Sequence, residues 1–280
     1  LVDFWRYELT PKRRLSAVAA EGARRGALIR VDGGVADVHP WPELGDLPLD
    51  EQLARLARGE TTALTHASLE FASIDAAARR DGRSLFDGLT IPPSHWPGPD
   101  PPPEFDTVKL KSIDVIPDRV RLRIDFNATL TAEEFVQIGA TLPRERIDFI
   151  EDPCPYDAVV WRELRAKTGL RLALDRAPSS WCPLSSYDVL ILKPAIQAIP
   201  CSDTEIVVTS HMDHPIGQLC AAYAAATANI TSTCGLITHV LFENDAFIER
   251  MRIDGTRLVP PGGTGWGFDD LLEKLPWEKL

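Results

Sequence analysis

Asp125, Glu151 and Asp175 each close a short apolar run, and they stand 26 and 24 residues apart. That interval is about one strand–helix unit, so successive parallel strands would gather the three carboxylates around one point. Three oxygen donors that leave room for water and substrate suit Mg²⁺, which rarely takes a cage made wholly of protein. A single such acid would be read as a helix cap or a satisfied loop carboxylate; three in this spacing point to a metal. Lys109 and Lys111 are two residues apart on a predicted strand and share a face. A Lys-x-Lys pair usually marks a solvated strand face. In a barrel, however, Val108 and Leu110 would pack outward against helices and turn both lysines inward. Two neighbouring ammonium groups repel, so each would lose a proton more easily, as a base beside a divalent metal requires. Lys193, at the end of the very apolar run Val189–Leu192, would put a third cation across the cavity.

The elements that must position these groups follow from the pattern of apolar runs. Seven runs, over residues 107–111, 121–125, 147–151, 171–175, 189–193, 206–210 and 236–243, each end in a polar residue. Helical periodicity fills some of the gaps, over 131–142, 158–168 and 216–227, and Thr131 with Glu134 forms a capping box. Strands alternating with helices imply a parallel sheet covered on both faces. Seven or eight units imply a closed α/β barrel, whose chemistry sits at the C-terminal strand ends. Those ends hold Lys111, Asp125, Glu151, Asp175, Lys193 and Ser210. Only 13 residues separate Lys111 from Asp125 and 12 separate Lys193 from Ile206, too few for a full crossover. Two outer helices are therefore expected to be missing or reduced to a turn. The first strand is placed near 88–92.

Ahead of the barrel, residues 3–9 and 27–38 read as strands, the latter turning at Asp32-Gly33-Gly34, and 49–58 and 61–80 read as helices. Seven prolines between Pro92 and Pro103 read as a linker or rim loop. The expected fold is a contracted TIM-like (β/α) barrel over 89–245, with an α+β capping domain from 1–88 plus 246–280.

Composition narrows the function classes. With 44% hydrophobic and 25% charged residues, the 280-residue chain is neither disordered nor fibrous. Forty-one acids against 30 bases give a net charge of -11 with no long basic block, which excludes a nucleic-acid-binding surface. The longest apolar stretch, 216–230, contains Gln218 and Asn229 and reads as a packed helix, so no membrane partner is expected. Five cysteines, at 154, 182, 201, 220 and 234, form no CxxC pair and read as reduced thiols of a cytoplasmic protein. No feature specifies an oligomeric state.

Together these residues resemble the enolase superfamily, specifically its muconate-lactonizing-enzyme subgroup. The resemblance is carried, in the family's order, by Val108-Lys109-Leu110-Lys111, Arg123-Ile124-Asp125-Phe126-Asn127, Ile150-Glu151-Asp152-Pro153, Ala173-Leu174-Asp175 and Leu192-Lys193-Pro194. It extends from Ala27 to a Gly-rich tail over 260–269. Within the subgroup, the short length, the 36–44 stretch and Gly235-Leu236 ahead of Leu241-Phe242 are most similar to the o-succinylbenzoate synthase family. No long N-terminal lid loop of the kind seen in relatives is evident.

The resemblance implies Mg²⁺, with Mn²⁺ as a substitute, held by Asp125, Glu151 and Asp175. It implies a small-molecule carboxylate as partner: 2-succinyl-6-hydroxy-2,4-cyclohexadiene-1-carboxylate, dehydrated in menaquinone synthesis. Lys111 would remove the α-proton to form an enediolate, Lys109 would tune Lys111, and Lys193 would stabilise the opposite face. Substrate contacts would come from Arg123, Ser210 and Gly235. The same site could instead racemise an N-succinylamino acid or epimerise a dipeptide. One departure is Asp213, where the family carries Glu after a serine-rich strand end.

Two other signals are weighed. In the segment 209–214, His211, Asp213 and His214 fit the last three positions of a His-x-His-x-Asp-His zinc hydrolase motif, but Thr209 stands where its first His belongs. The glycines of 262–267 lack the Gly-Lys-Ser/Thr ending of a phosphate loop and read as a return turn. Trp5, Trp41 and Trp266 are expected to pack together in the capping domain.

Overall fold

A computed structural model describes residues 2–16, 18–175 and 185–280. Near the N-terminus, β1 (Val2–Leu9) and β2 (Arg24–Val31) pair antiparallel along their whole length. From β2 the chain turns at Asp32 and Gly33, both at positive φ (51° and 87°), into β3 (Gly34–Val38). A two-residue hairpin needs that left-handed geometry. The last strand of the chain, β12 (Glu278–Lys279), joins the outer side of β1, giving the order β12-β1-β2-β3. Helices α1 (Leu49–Ala57) and α2 (Ala63–Arg80) cover one face through Leu49, Leu53, Leu64 and Ala72, packed on Phe4, Ile29 and Val38. At Gly34 a Cβ would lie 2.0 Å from the Ala72 carbonyl, so only glycine lets α2 come so close. Tyr7, Leu9, Leu28 and Val35 point the other way into the main core, shared with the barrel.

The second sheet is parallel and six-stranded: β4 (Thr107–Leu110), β5 (Arg121–Asp125), β6 (Ile147–Glu151), β7 (Leu172–Asp175), β8 (Val189–Leu192) and β9 (Glu205–Val208), in chain order. Every residue of β8 is buried, as expected for a strand covered on both faces. Helices α3 (Ala132–Gly139) and α4 (Ala158–Thr168) follow β5 and β6, and α5 (Pro215–Thr227) follows β9. Thr131 and Glu134 form the expected capping box on α3. Between β4 and β5, and between β8 and β9, the chain makes only bends and turns, so the two outer helices are absent there.

The edges of this sheet are joined by two staves of minimal length. Parallel bridges link Thr209 to Gly235, Cys234 to Ser94, and Trp96 to Val108 of β4. The hydrogen bonds Gly235 N–H to Val208 O (2.9 Å), His95 N–H to Cys234 O (2.9 Å) and Lys109 N–H to Trp96 O (2.8 Å) accompany them. Three expectations change here. The first stave is at 94–96, not 88–92, and so lies inside the proline-rich stretch read as a linker. The last stave is at 234–235, while 236–243 holds a 3₁₀ turn, Thr238–Leu241. The tryptophans are dispersed: Trp5 neighbours His214 and Phe247, Trp41 neighbours His211, and Trp266 neighbours Phe71 and Tyr223.

After the barrel come the hairpin β10 (Arg252–Asp254) and β11 (Arg257–Val259) and the short α6 (Asp269–Leu272). The Gly-rich tail returns to the N-terminal layer through Asp75 of α2, which accepts from Trp266 N–H and Val35 N–H, both at 2.8 Å. Among the described residues no helix is long and apolar enough to cross a membrane. Cys154, Cys201, Cys220 and Cys234 are free thiols; Cys182 lies outside the described residues.

Candidate active site

The polar ends of the parallel strands surround a cavity of about 610 Å³. Lys109, Lys111, Asp125, Asp175, Lys193, Ser210 and Gly235 all line it. Strand register does the gathering: Asp125 pairs level with Glu151, and Lys109 with Arg123. Lys109 Nζ lies 2.7 Å from both Glu151 oxygens and 3.1 Å from Asp125 Oδ2. Lys111 Nζ lies 3.3 Å from the same Asp125 oxygen, and Lys193 donates to Asp175 Oδ2. Asp125 is oriented by the Asn127 N–H at 2.9 Å, and Asp152 Oδ1 accepts from the Asp175 N–H at 3.1 Å.

The electrostatics differ from the sequence expectation for Lys109. Burial disfavours its charge, but Asp125, Glu151 and Asp175 outweigh burial and hold it above the ordinary lysine range. Repulsion between the two lysines is relieved because Asp125 sits between them. Burial likewise opposes the charge on Asp125, yet Lys109 and Lys111 hold its carboxyl below the usual range. Glu151, the most enclosed of the three acids, is pushed up to about 7 by burial and by Asp125. Among the described residues no three Asp, Glu, His or Cys side chains converge as a metal-holding group, because each acid of this trio is drawn toward a lysine. The donor set itself, two buried carboxylates and a partly buried third balanced by ammonium groups, is that of a hard divalent cation.

Ser210 Oγ and Thr238 Oγ1 lie 2.6 Å apart at the cavity wall. Gly235 has no room for a side chain: a Cβ would be 2.9 Å from Thr209 Cγ2 and 3.0 Å from His95 Cε1. Arg123 does not line the cavity. It lies on the inward face of β5, one layer below Asp125, and is only 2% exposed. Its nitrogens are engaged by Asp148 (2.8 Å), Thr233 O (2.6 Å) and His95 Nδ1 (3.1 Å). Arg123 was expected to contact substrate; here it lies under the site and ties staves together through Asp148, Thr233 and His95.

Two contributors escaped the sequence reading. One is His95, kept neutral by burial and by Arg123, Lys109 and Lys111, which lower its pKa well below the ordinary value. The other is the loop between β1 and β2, which brings Arg13, Arg14, Leu15 and Ser16 to the cavity wall, with Arg13 donating to Pro97 O at 2.6 Å. The basic triplet Lys12-Arg13-Arg14 in an acidic chain was the available signal.

The zinc reading of His211, Asp213 and His214 is overturned. All three are buried beneath the N-terminal sheet, while Thr209, Ser210 and Met212 of that segment face the cavity. His211 Nε2 pairs with Asp46 at 3.2 Å, and the His214 N–H donates to Asp37 at 3.1 Å. Met212 at φ 51° is the kink that sends its neighbours away from the mouth.

Comparison with known proteins agrees with this architecture. Residues 2–78 match the family profile described as O-succinylbenzoate synthase, N-terminal domain. An o-succinylbenzoate synthase of Bdellovibrio bacteriovorus is 33% identical over 324 residues, covering 100% of this chain and 98% of that relative. The alignment exceeds the 280 residues here, so the relative carries insertions, in keeping with the shortened crossovers. A dipeptide epimerase of Cytophaga hutchinsonii, solved with Mg and a dipeptide, superposes with a TM-score of 0.76 at 16% identity, over 99% of this chain and 98% of that one. A mandelate racemase/muconate lactonizing protein of Herpetosiphon aurantiacus gives 0.73 at 15%, over 95% and 97%. The solved structures establish the fold, and the full-length relative establishes that the chain belongs to the o-succinylbenzoate synthase family of the enolase superfamily.

Proposed function

We propose that the protein dehydrates 2-succinyl-6-hydroxy-2,4-cyclohexadiene-1-carboxylate to o-succinylbenzoate, on the route to menaquinone in the cytoplasm. The observation that carries the reading is the full-length likeness to an o-succinylbenzoate synthase, joined to lysines on facing strands of one cavity. Asp125, Glu151 and Asp175 would hold Mg²⁺, with Mn²⁺ as a substitute. When bound, such a cation neutralises the ring carboxylate and stabilises the charge that grows as the α-proton leaves. Lys111, the more accessible of the paired lysines, takes that proton and returns it to the departing hydroxyl on the same face, so elimination is syn. Lys109 is held beneath by Glu151 and Asp125 and adds fixed positive charge. Lys193, on β8's end, stabilises the opposite face of the forming aromatic ring. Residues 1–88 with 246–280 form the capping unit of this proposal and 89–245 the catalytic barrel.

The test is an ultraviolet assay of ring aromatisation with Mg²⁺, wild type beside Lys111→Ala. Turnover that EDTA and the substitution both abolish is the expected result. The epimerase-like solved neighbours favour a second reading, α-proton exchange on an N-succinylamino acid or dipeptide with Lys111 and Lys193 as opposed acid and base. Exchange in deuterated water without aromatisation would select it.

A further inference from the structure

Of the chain's six histidines, only His95 lines the cavity. Its stave is tied twice to the neighbouring 234–236 stretch, by its own N–H on Cys234 O and by Ser94 Oγ, which accepts from the Leu236 N–H at 3.1 Å, and on its other side by the Lys109 N–H on Trp96 O. Its Nδ1 faces Arg123 Nη1 at 3.1 Å. A guanidinium can only donate, so Nδ1 is the acceptor and the ring proton belongs to Nε2. Arg123 cannot relinquish this role, being clamped by Asp148 and Thr233 O and lying over the Phe149 ring at 4.6 Å. The Nε2 edge lies over Gly235, where a Cβ would come within 3.1 Å of it. No described residue accepts a hydrogen bond from Nε2, whose edge opens to the cavity while the rest of the ring is buried.

The lysines and carboxylates of the strand ends occupy one side of the cavity, on β4 to β8, while Arg13 and Arg14 of the β1–β2 loop stand at its wall near Pro97. His95, Gly235, Ser210 and Thr238 occupy the other, between β9 and β4. A ring carboxylate drawn to the charged side leaves the succinyl arm to face the other. We propose that His95 is a substrate-binding residue whose Nε2–H donates to an oxygen of the succinyl arm, and that Arg123 is the positioning residue that fixes its tautomer. The proposal rests on the dehydratase reading above.

The experiment compares wild type, His95→Leu, His95→Gln and His95→Asn by steady-state kinetics, o-succinylbenzoate calorimetry and thermal melting. Loss of one hydrogen bond to a charged group corresponds to roughly a 10- to 100-fold weakening, expected in KM and in product affinity for His95→Leu. Gln carries an amide N–H near the Nε2 position and is expected to recover most of that loss. Asn, which stops at the Nδ1 position, is expected not to, and this contrast holds even if the Leu variant fails to fold. Unaltered product affinity in His95→Leu, or equal weakening in Gln and Asn, overturns the role while wild-type turnover leaves the dehydratase reading intact. A wild type that neither turns over nor binds product overturns both.

Discussion

Lys109 and Lys111 are neighbours on one strand face, yet their surroundings assign them different work. Lys109 is 13% exposed in its side chain and contacts two carboxylates; Lys111 is 27% exposed and contacts one. Lys111→Ala should therefore abolish turnover and leave the melting temperature nearly unchanged. Lys109→Met leaves Glu151 buried without its ion-pair partner and Asp125 with Lys111 alone, a loss of about 3–5 kcal/mol. Mg²⁺ should restore part of that loss in a melting experiment, since it supplies the missing charge to the same acids. A Lys109→Met melting temperature indifferent to Mg²⁺ would refute the assignment of these acids as metal ligands. Lys111, Lys193 and the three acids, to which the proposal gives the chemistry, were legible because each ends an apolar run. Arg123 lies deeper than the pattern conveys, because strand alternation puts it on the same inward face as Asp125 while two residues along a strand are about 6.5 Å in depth.

At the scale of elements, the barrel keeps its long strands and economises on its first and last staves. The long ones were readable: β5, β6 and α4 fall where the apolar runs and helical period put them. The short ones were not, because a stave that makes one bridge on each side has no period to detect and here sits among prolines. Ser94 carries much of the closure, since its hydroxyl accepts from the buried Leu236 N–H. Ser94→Ala strands that donor at a cost of about 1–3 kcal/mol. Thr131→Ala removes the capping box of α3 at an exposed end and should cost about 1 kcal/mol. Urea unfolding of the two variants compares them directly. Equal losses, or the larger loss at Thr131, would mean that the minimal staves do not close the barrel.

The whole molecule depends on how the N-terminal sheet seats on the barrel, and there its polar groups are buried rather than paired with opposite charge. Asp37 of β3 and Asp213 ahead of α5 both crowd the Gly217 Cα, where a Cβ would lie 2.6 Å from an oxygen of each. Tyr7 donates to Asp37 at 2.6 Å, and His39, His214 and Cys220 complete the surroundings. Burial pushes Asp213 up to about 7, and Asp213 Oδ1 has no hydrogen-bond partner among the described residues. Burial and the Asp213 charge also raise Asp37 well above the carboxylate range. Between the ordinary value of 3.8 and about 7, the folded chain keeps a proton on Asp213 that the unfolded chain releases. That contribution to stability is complete below pH ~4 and is lost as the pH climbs through 7. His214, lowered to about 3 by burial, works in the opposite direction, gaining stability as pH rises toward 6.5. The wild-type profile therefore mixes both slopes, whereas the difference between wild type and Asp213→Asn removes the histidine slope and leaves Asp213 with the part of the Asp37 shift that its charge causes. An amide matches the protonated carboxyl in shape and cannot ionise. Asp213→Asn should match the wild type at pH 4 and become more stable than it by up to about 4 kcal/mol at pH 8. Melting temperatures measured at intervals across that range decide it: a constant difference would mean that Asp213 stays ionised in its buried place, and that a counter-charge holds the sheet to the barrel instead of a shared proton.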